Sequence, residues 1–141
     1  RYASGPVLSK REAESLALAL HMTGGDLMFS DNFLKLNDAG RKILKDALAL
    51  PPLTGAARPL DLFSAPAGKM PSIWFAPEAG KAAVFNWGEE PAQFELGPEL
   101  FGGHHPGDFF WNRKEAERDT DGTLRIALAP HEAAGIEILL K

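Results

Sequence analysis

Ala82-Ala83-Val84-Phe85-Asn86-Trp87-Gly88-Glu89-Glu90-Pro91-Ala92-Gln93-Phe94-Glu95-Leu96, residues 82–96, decides the fold. An apolar run ends in an Asn-Trp pair and a Gly-centred turn, and a second alternating run follows. That pattern predicts two short antiparallel strands, Ala82–Trp87 and Ala92–Leu96, joined by a tight connection. Working outward, the same grammar predicts strands at Pro59–Phe63, Ser72–Ala76, Phe109–Asn112, Thr123–Leu128 and Gly135–Leu140. Leu124, Ile126 and Leu128 share one face of their strand, and Ile136, Ile138 and Leu140 share one face of theirs. Glu78-Ala79-Gly80 and Asp121-Gly122 supply further turns. About seven short strands in about 90 residues suit a β-sandwich.

Upstream of Pro51-Pro52 the chain reads differently. Ser9-Lys10-Arg11-Glu12 has the form of a capping box, in which the Ser9 hydroxyl and the Glu12 carboxylate each accept from the other's backbone amide. Leu16, Leu20 and Thr23 follow at helical spacing with alanines between, a composition that buries nearly all round. Gly24-Gly25 stops the helix. Asp26-Leu27-Met28-Phe29-Ser30 then reads as a short, fully buried strand of parallel type. A second helix starts at Asn37 or Asp38, with Ile43, Leu44, Ala47 and Leu48 as its apolar stripe and Arg41, Lys42 and Lys45 toward water. The expected fold class is therefore mixed α and β. Residues 1–50 form a helix–strand–helix unit, and residues 51–141 form an antiparallel β-sandwich.

Composition narrows the function. The 141 residues are 45% hydrophobic and 24% charged, with a formal net charge of −4. Residues 1–50 are nearly neutral, and the acidic excess lies beyond them. No basic surface for nucleic acid is expected. The sequence has no cysteine, which removes disulfides, thiolate nucleophiles and zinc–thiolate sites. No apolar run reaches the roughly 20 residues of a membrane span. The chain begins at Arg1 rather than Met, so it is expected to be a processed product or a piece of something longer, and without a charged-then-apolar leader no signal peptide is expected. A soluble protein of cytoplasm or periplasm is expected, with no choice between the two.

Several pieces, taken in order, resemble one enzyme family. The helix, Gly24-Gly25, Asp26-Leu27-Met28-Phe29-Ser30-Asp31 and the following Leu36–Leu44 helix resemble the last βα unit of melibiase-like α-galactosidases, whose barrel ends on a similar Ser-Asp pattern. Ala83-Val84-Phe85-Asn86-Trp87-Gly88-Glu89-Glu90-Pro91 is similar to a hairpin of their C-terminal β-sandwich. Phe110-Trp111-Asn112-Arg113-Lys114 and Ala129-Pro130-His131-Glu132 before Ile136–Leu140 resemble later strands of that sandwich. The resemblance is weakest between Ala49 and Ile73.

It implies the tail of a glycoside hydrolase: a (β/α)8 barrel remnant followed by a sandwich that supports the barrel. The resemblance implies that the whole enzyme cleaves a terminal α-linked sugar, galactose, by a retaining two-carboxylate mechanism. In the family those carboxylates sit on earlier barrel strands. A full barrel takes about 250 residues, so this chain would contribute no catalytic residue, metal or cofactor. Its partners would be the rest of the barrel and, through it, carbohydrate. The isolated Leu27–Phe29 strand would have bare edges, or a second copy of the chain would cover them.

Each candidate site has a plainer reading beside it. Asp26 and Asp31 bracket the strand, but five extended residues separate them by about 16 Å, against about 5 Å for a retaining pair. The resemblance leaves Asp31 near substrate in the whole enzyme, in a supporting role. Trp74, Trp87 and Trp111 could stack against sugar rings, as in a stand-alone carbohydrate-binding module. As alternating strand residues they would instead fill the core, with Phe85 and Trp87 on one face and Phe109 and Trp111 sharing a face. His104-His105 with Asp108 offers metal-type ligands but reads as an exposed glycine-rich loop. His131 and Glu132 form an acid–base-like pair, expected to be structural, with the imidazole on a backbone carbonyl. Gly24-Gly25 and Gly102-Gly103 lack the lysine and the strand–loop–helix order of a phosphate loop.

Overall fold

The computed structural model describes residues 8–24, 37–64 and 69–140. Helix α1 spans Lys10–Thr23 and α2 spans Asp38–Ala49. Eight strands follow: β1 Arg58–Pro59, β2 Ile73–Ala76, β3 Lys81–Phe85, β4 Ala92–Leu96, β5 His105–Trp111, β6 Ala116–Arg118, β7 Leu124–Leu128 and β8 Ala133–Leu139. The strand expected at 26–30, and Asp31 after it, lie outside the described residues.

Both helices begin as their sequences dictate. Ser9 and Glu12 form the reciprocal capping box, with Ser9 N–H donating to Glu12 Oε2 at 2.6 Å and Glu12 N–H to Ser9 Oγ at 3.2 Å. Gly24 ends α1 in the left-handed region at φ 68°, a conformation that costs glycine no Cβ clash. Of the two possible caps of α2, Asn37 is the one used; its side chain accepts from Gly40 N–H. The buried face of α1 is Ser15, Leu18 and Met22, not the expected Leu16–Leu20–Thr23 line. Leu16 and Leu48 are exposed. Alanine-rich helices carry little periodic signal, so packing rather than pattern selects the face.

The strands form two antiparallel sheets, a five-stranded one in the order β1-β2-β3-β8-β5 and a three-stranded one in the order β4-β7-β6. Side-chain alternation builds three layers from them. Ala82 and Val84 of β3, with Ile136 and Ile138 of β8, face Leu96, Leu124, Ile126 and Leu128 of the smaller sheet. Ala83 and Phe85 of β3, with Ala133 of β8, face the opposite way, onto Leu18, Met22 and Ala47 of the helices. The central strand β3 is therefore buried on both sides, which explains why 82–85 reads as a continuous apolar run.

Several expectations change here. The strand placed at Pro59–Phe63 shrinks to two residues, because the Asp61 carboxylate turns the chain by accepting from Ser72 N–H and Ile73 N–H. Strand β6 has no apolar alternation to signal it. His105–Gly107 belong to β5, not to a loop, and Pro106 is fully buried. β5 is an edge strand, where a proline lacking an N–H is tolerated.

Phe109 and Trp111 do not share a face. The β5–β8 register shifts on either side of Phe109, so Phe109 points into the inter-sheet core while Phe110 and Trp111 both point toward the helices. A bulge of this kind breaks the period of two. It also seats the Phe110 ring over Gly135, where a Cβ would lie 2.6 Å from Phe110 Cζ. Gly135→Ala is expected to lower stability by about 1–3 kcal/mol by forcing that ring aside. Urea unfolding checks it, and an unchanged midpoint would show that the ring yields freely.

Candidate functional site

Among the described residues, the polar or charged side chains buried as a whole are Ser15, Asn86 and Glu132. All three serve the junction where the Asn86–Glu90 turn, the turn before β8 and the first half of α1 converge. Asn86 N–H donates to Glu132 O at 2.8 Å. The Asn86 side-chain amide donates to the carbonyls of Glu90, Leu128 and Ala129 at 2.8, 3.2 and 3.0 Å, and its oxygen accepts from Gly88 N–H at 3.0 Å. Both sheets are thus tied through one side chain.

Glu132 accepts from Ala129 N–H at 3.1 Å and pairs with Lys114 Nζ at 2.8 Å. Burial pushes its carboxyl upward, but the Lys114 and Ala129 bonds outweigh that and hold it below the ordinary carboxylate range. Ser15 Oγ–H donates to the backbone carbonyl of His131 at 2.7 Å. A serine bonded to a histidine's carbonyl has no base to activate it, so this is not a nucleophilic pair. His131 sits at φ 61°, and its Nε2 meets Glu89 Oε2 at 3.0 Å rather than the expected backbone carbonyl. His131 and Glu132 therefore engage different partners. Asn112, also left-handed at φ 53°, donates to Ala133 O at 2.7 Å. No short-range sequence signal marks Ser15 or Asn112 for these roles, since each bond spans a large sequence separation.

The three tryptophans sit on the helix-facing side of the larger sheet. Trp111 is buried, while Trp74 and Trp87 are half-buried against the same cluster. The Trp87 ring stacks on Phe85 with centroids 4.7 Å apart and planes 6° apart. Trp74 and Trp87 both donate their indole N–H to the Pro71 carbonyl, at 3.3 and 3.0 Å. These contacts engage one face of Trp87 and the indole donors of Trp74 and Trp87, while the buried indole N–H of Trp111 has no hydrogen-bond partner among the described residues.

His105 packs its ring against Gly122. Asp108 accepts from Phe109 N–H and from Arg113, and those bonds hold it below the usual carboxylate range. Among the described residues, no group of three or more His, Asp or Glu side chains is arranged to hold a metal ion, and no helix is long and apolar enough to cross a membrane. Two open clefts, of about 500 and 570 Å³, flank the helix pair. The first is lined by Lys10, Glu14, Lys42, Asp46, Phe110 and Trp111 among others. Its charges include the Lys10–Glu14 pair at 3.6 Å and the Lys42–Asp46 pair at 2.5 Å.

No protein-family model matches the sequence, and no curated protein matches it. Solved structures do match in fold. One is a Bacteroides fragilis protein described as a candidate α-galactosidase/melibiase, with TM-score 0.72 and 19% identity over 94% of this chain and 29% of that one. A second B. fragilis candidate α-galactosidase gives TM-score 0.74 and 19% identity over 95% of this chain and 30% of that one. A GH27 β-L-arabinopyranosidase of Geobacillus stearothermophilus, solved with arabinose, gives TM-score 0.66 and 16% identity over 98% of this chain and 32% of that one. The chain thus spans about 30% of the length of the structures it matches. In fold, it is similar to a mixed α/β segment of α-galactosidase-type and GH27 structures.

Proposed function

We propose that this chain is the C-terminal part of an α-galactosidase-like glycoside hydrolase, with residues 1–50 as the last βα unit of the barrel and residues 51–141 as the supporting sandwich. The observation that carries the reading is the asymmetry of coverage: nearly all of this chain aligns with less than a third of each matching structure. The three-layer packing supports it, because the helices share one core with the sheet and form no separable unit. In this reading the retaining carboxylates lie outside the chain, Asp31 stands near the substrate in a supporting role, and the partner of the helix pair is the remaining barrel. Galactose as the sugar belongs to the same proposal. So does self-association through the barrel remnant when the chain is alone, which light scattering would detect.

The test is the coding sequence upstream of the Arg1 codon together with an assay. About 300 further residues of alternating strands and helices are expected, with Asp residues ending barrel strands. The 141-residue chain alone should not hydrolyse a chromogenic α-galactoside. A start codon directly upstream, or turnover by the chain alone, would overturn the reading. A saturable shift of tryptophan fluorescence on adding oligosaccharide would favour a stand-alone carbohydrate-binding module instead.

A further inference from the structure

His21 lies in the last turn of α1, and its buried Nε2 has no hydrogen-bond partner among the described residues. Its ring meets Phe110 edge-on with centroids 6.2 Å apart. Phe110 carries the Lys81 ammonium 4.9 Å from its own centroid and rests over Gly135. The imidazole thus meets, across the helix–sheet boundary, a ring that also carries a cation over one of its faces.

Among the described residues, the charged group that acts on it is Lys81 of β3, whose cross-strand partner on β8 is Glu137. β5 brings Phe110, while α2 and residues 52–57 bring apolar groups such as Ala47, Leu48 and Leu53 to the cleft beside His21. Burial first, and Lys81 second, hold the imidazole below its ordinary range. The dipole at the C-terminal end of α1 favours the cation without reversing that direction.

We propose that His21 is an acid-sensitive latch: protonating its ring loosens α1 from the sheet and opens the interface lined by Phe110 and Trp111. The proposal is independent of the enzyme reading above. Its sign follows from linkage. When α1 detaches, His21 regains an unperturbed affinity for protons, with a pKa of about 6.5. The docked state binds the proton less well, so docking is fully favoured above that value and is lost as pH falls toward the lower docked value.

Amide hydrogen exchange corrected for intrinsic rates tests this. Between pH 7.5 and pH 5.0 the amides of α1 should exchange several-fold faster, while those of β4 and β7 do not change. His21→Gln should abolish the rise, and His131→Gln should retain it. A flat α1 profile, an equal rise in His21→Gln, or a uniform rise across both sheets would overturn the proposal. If His21→Gln fails to fold, the His21 imidazole resonances of the wild-type chain decide. They should titrate below the free-imidazole range, moving up in Lys81→Met, and an unshifted His21 titration would sink the latch.

Discussion

Phe85→Ala is expected to lower the unfolding free energy by about 3–5 kcal/mol. The ring is 1% exposed and stacks on Trp87. It belongs to the core shared by the five-stranded sheet and the two helices. Truncation removes the transfer energy of the ring and leaves a void that β3 cannot close, because that strand is held on both edges by β2 and β8. Leu18 and Met22 would lose their contact from below, so the helices should melt with the sheet in one transition. Denaturant unfolding followed by far-UV circular dichroism and by tryptophan emission should give coincident curves with a lower midpoint. A loss under about 1.5 kcal/mol, well below the usual range for a buried phenylalanine, would show that the helix layer contributes little to this core. Helices and sheet unfolding separately would mean the same.

Asn86→Ala comes next, at about 2–4 kcal/mol, the cost of several unsatisfied buried groups. The change strands the carbonyls of Glu90, Leu128 and Ala129 and the amide of Gly88. No other residue type fits well: aspartate has no N–H to donate, and leucine has no polar atom. Asn86→Asp should therefore be nearly as damaging as alanine, although it is nearly isosteric. Comparing the unfolding midpoints of the two variants is the check. If aspartate proved close to wild type, the amide donors would not be what holds the turn.

The sequence alone determined a good deal. Local rules act within a few residues, so the capping box at Ser9–Glu12 and the glycine stop at Gly24 are legible before any packing is known, and the α2 cap is narrowed to Asn37 or Asp38. Strands β4 and β7 were legible as well, because each has one face on the core and one in water, and alternation records that difference. The order of motifs along the chain also carried the likeness to α-galactosidase-type folds, which the solved structures bear out at 16–19% identity.

Only the tertiary structure decided which side of α1 and of β5 faced what. Pattern cannot orient α1, since alanine is compatible with burial or exposure. Its docking face followed from Leu18 and Met22 meeting Ala83 and Phe85. The bulge in β5, which sends Phe109 to one core and Trp111 to the other, arises from pairing with β8, and no neighbour in sequence announces it. The roles of Asn86, Ser15 and Glu132 depend on partners that chain topology brings together from far along the sequence. Backbone preference and side-chain period are local quantities. Burial, pairing register and the surroundings of a titrating group belong to the folded whole.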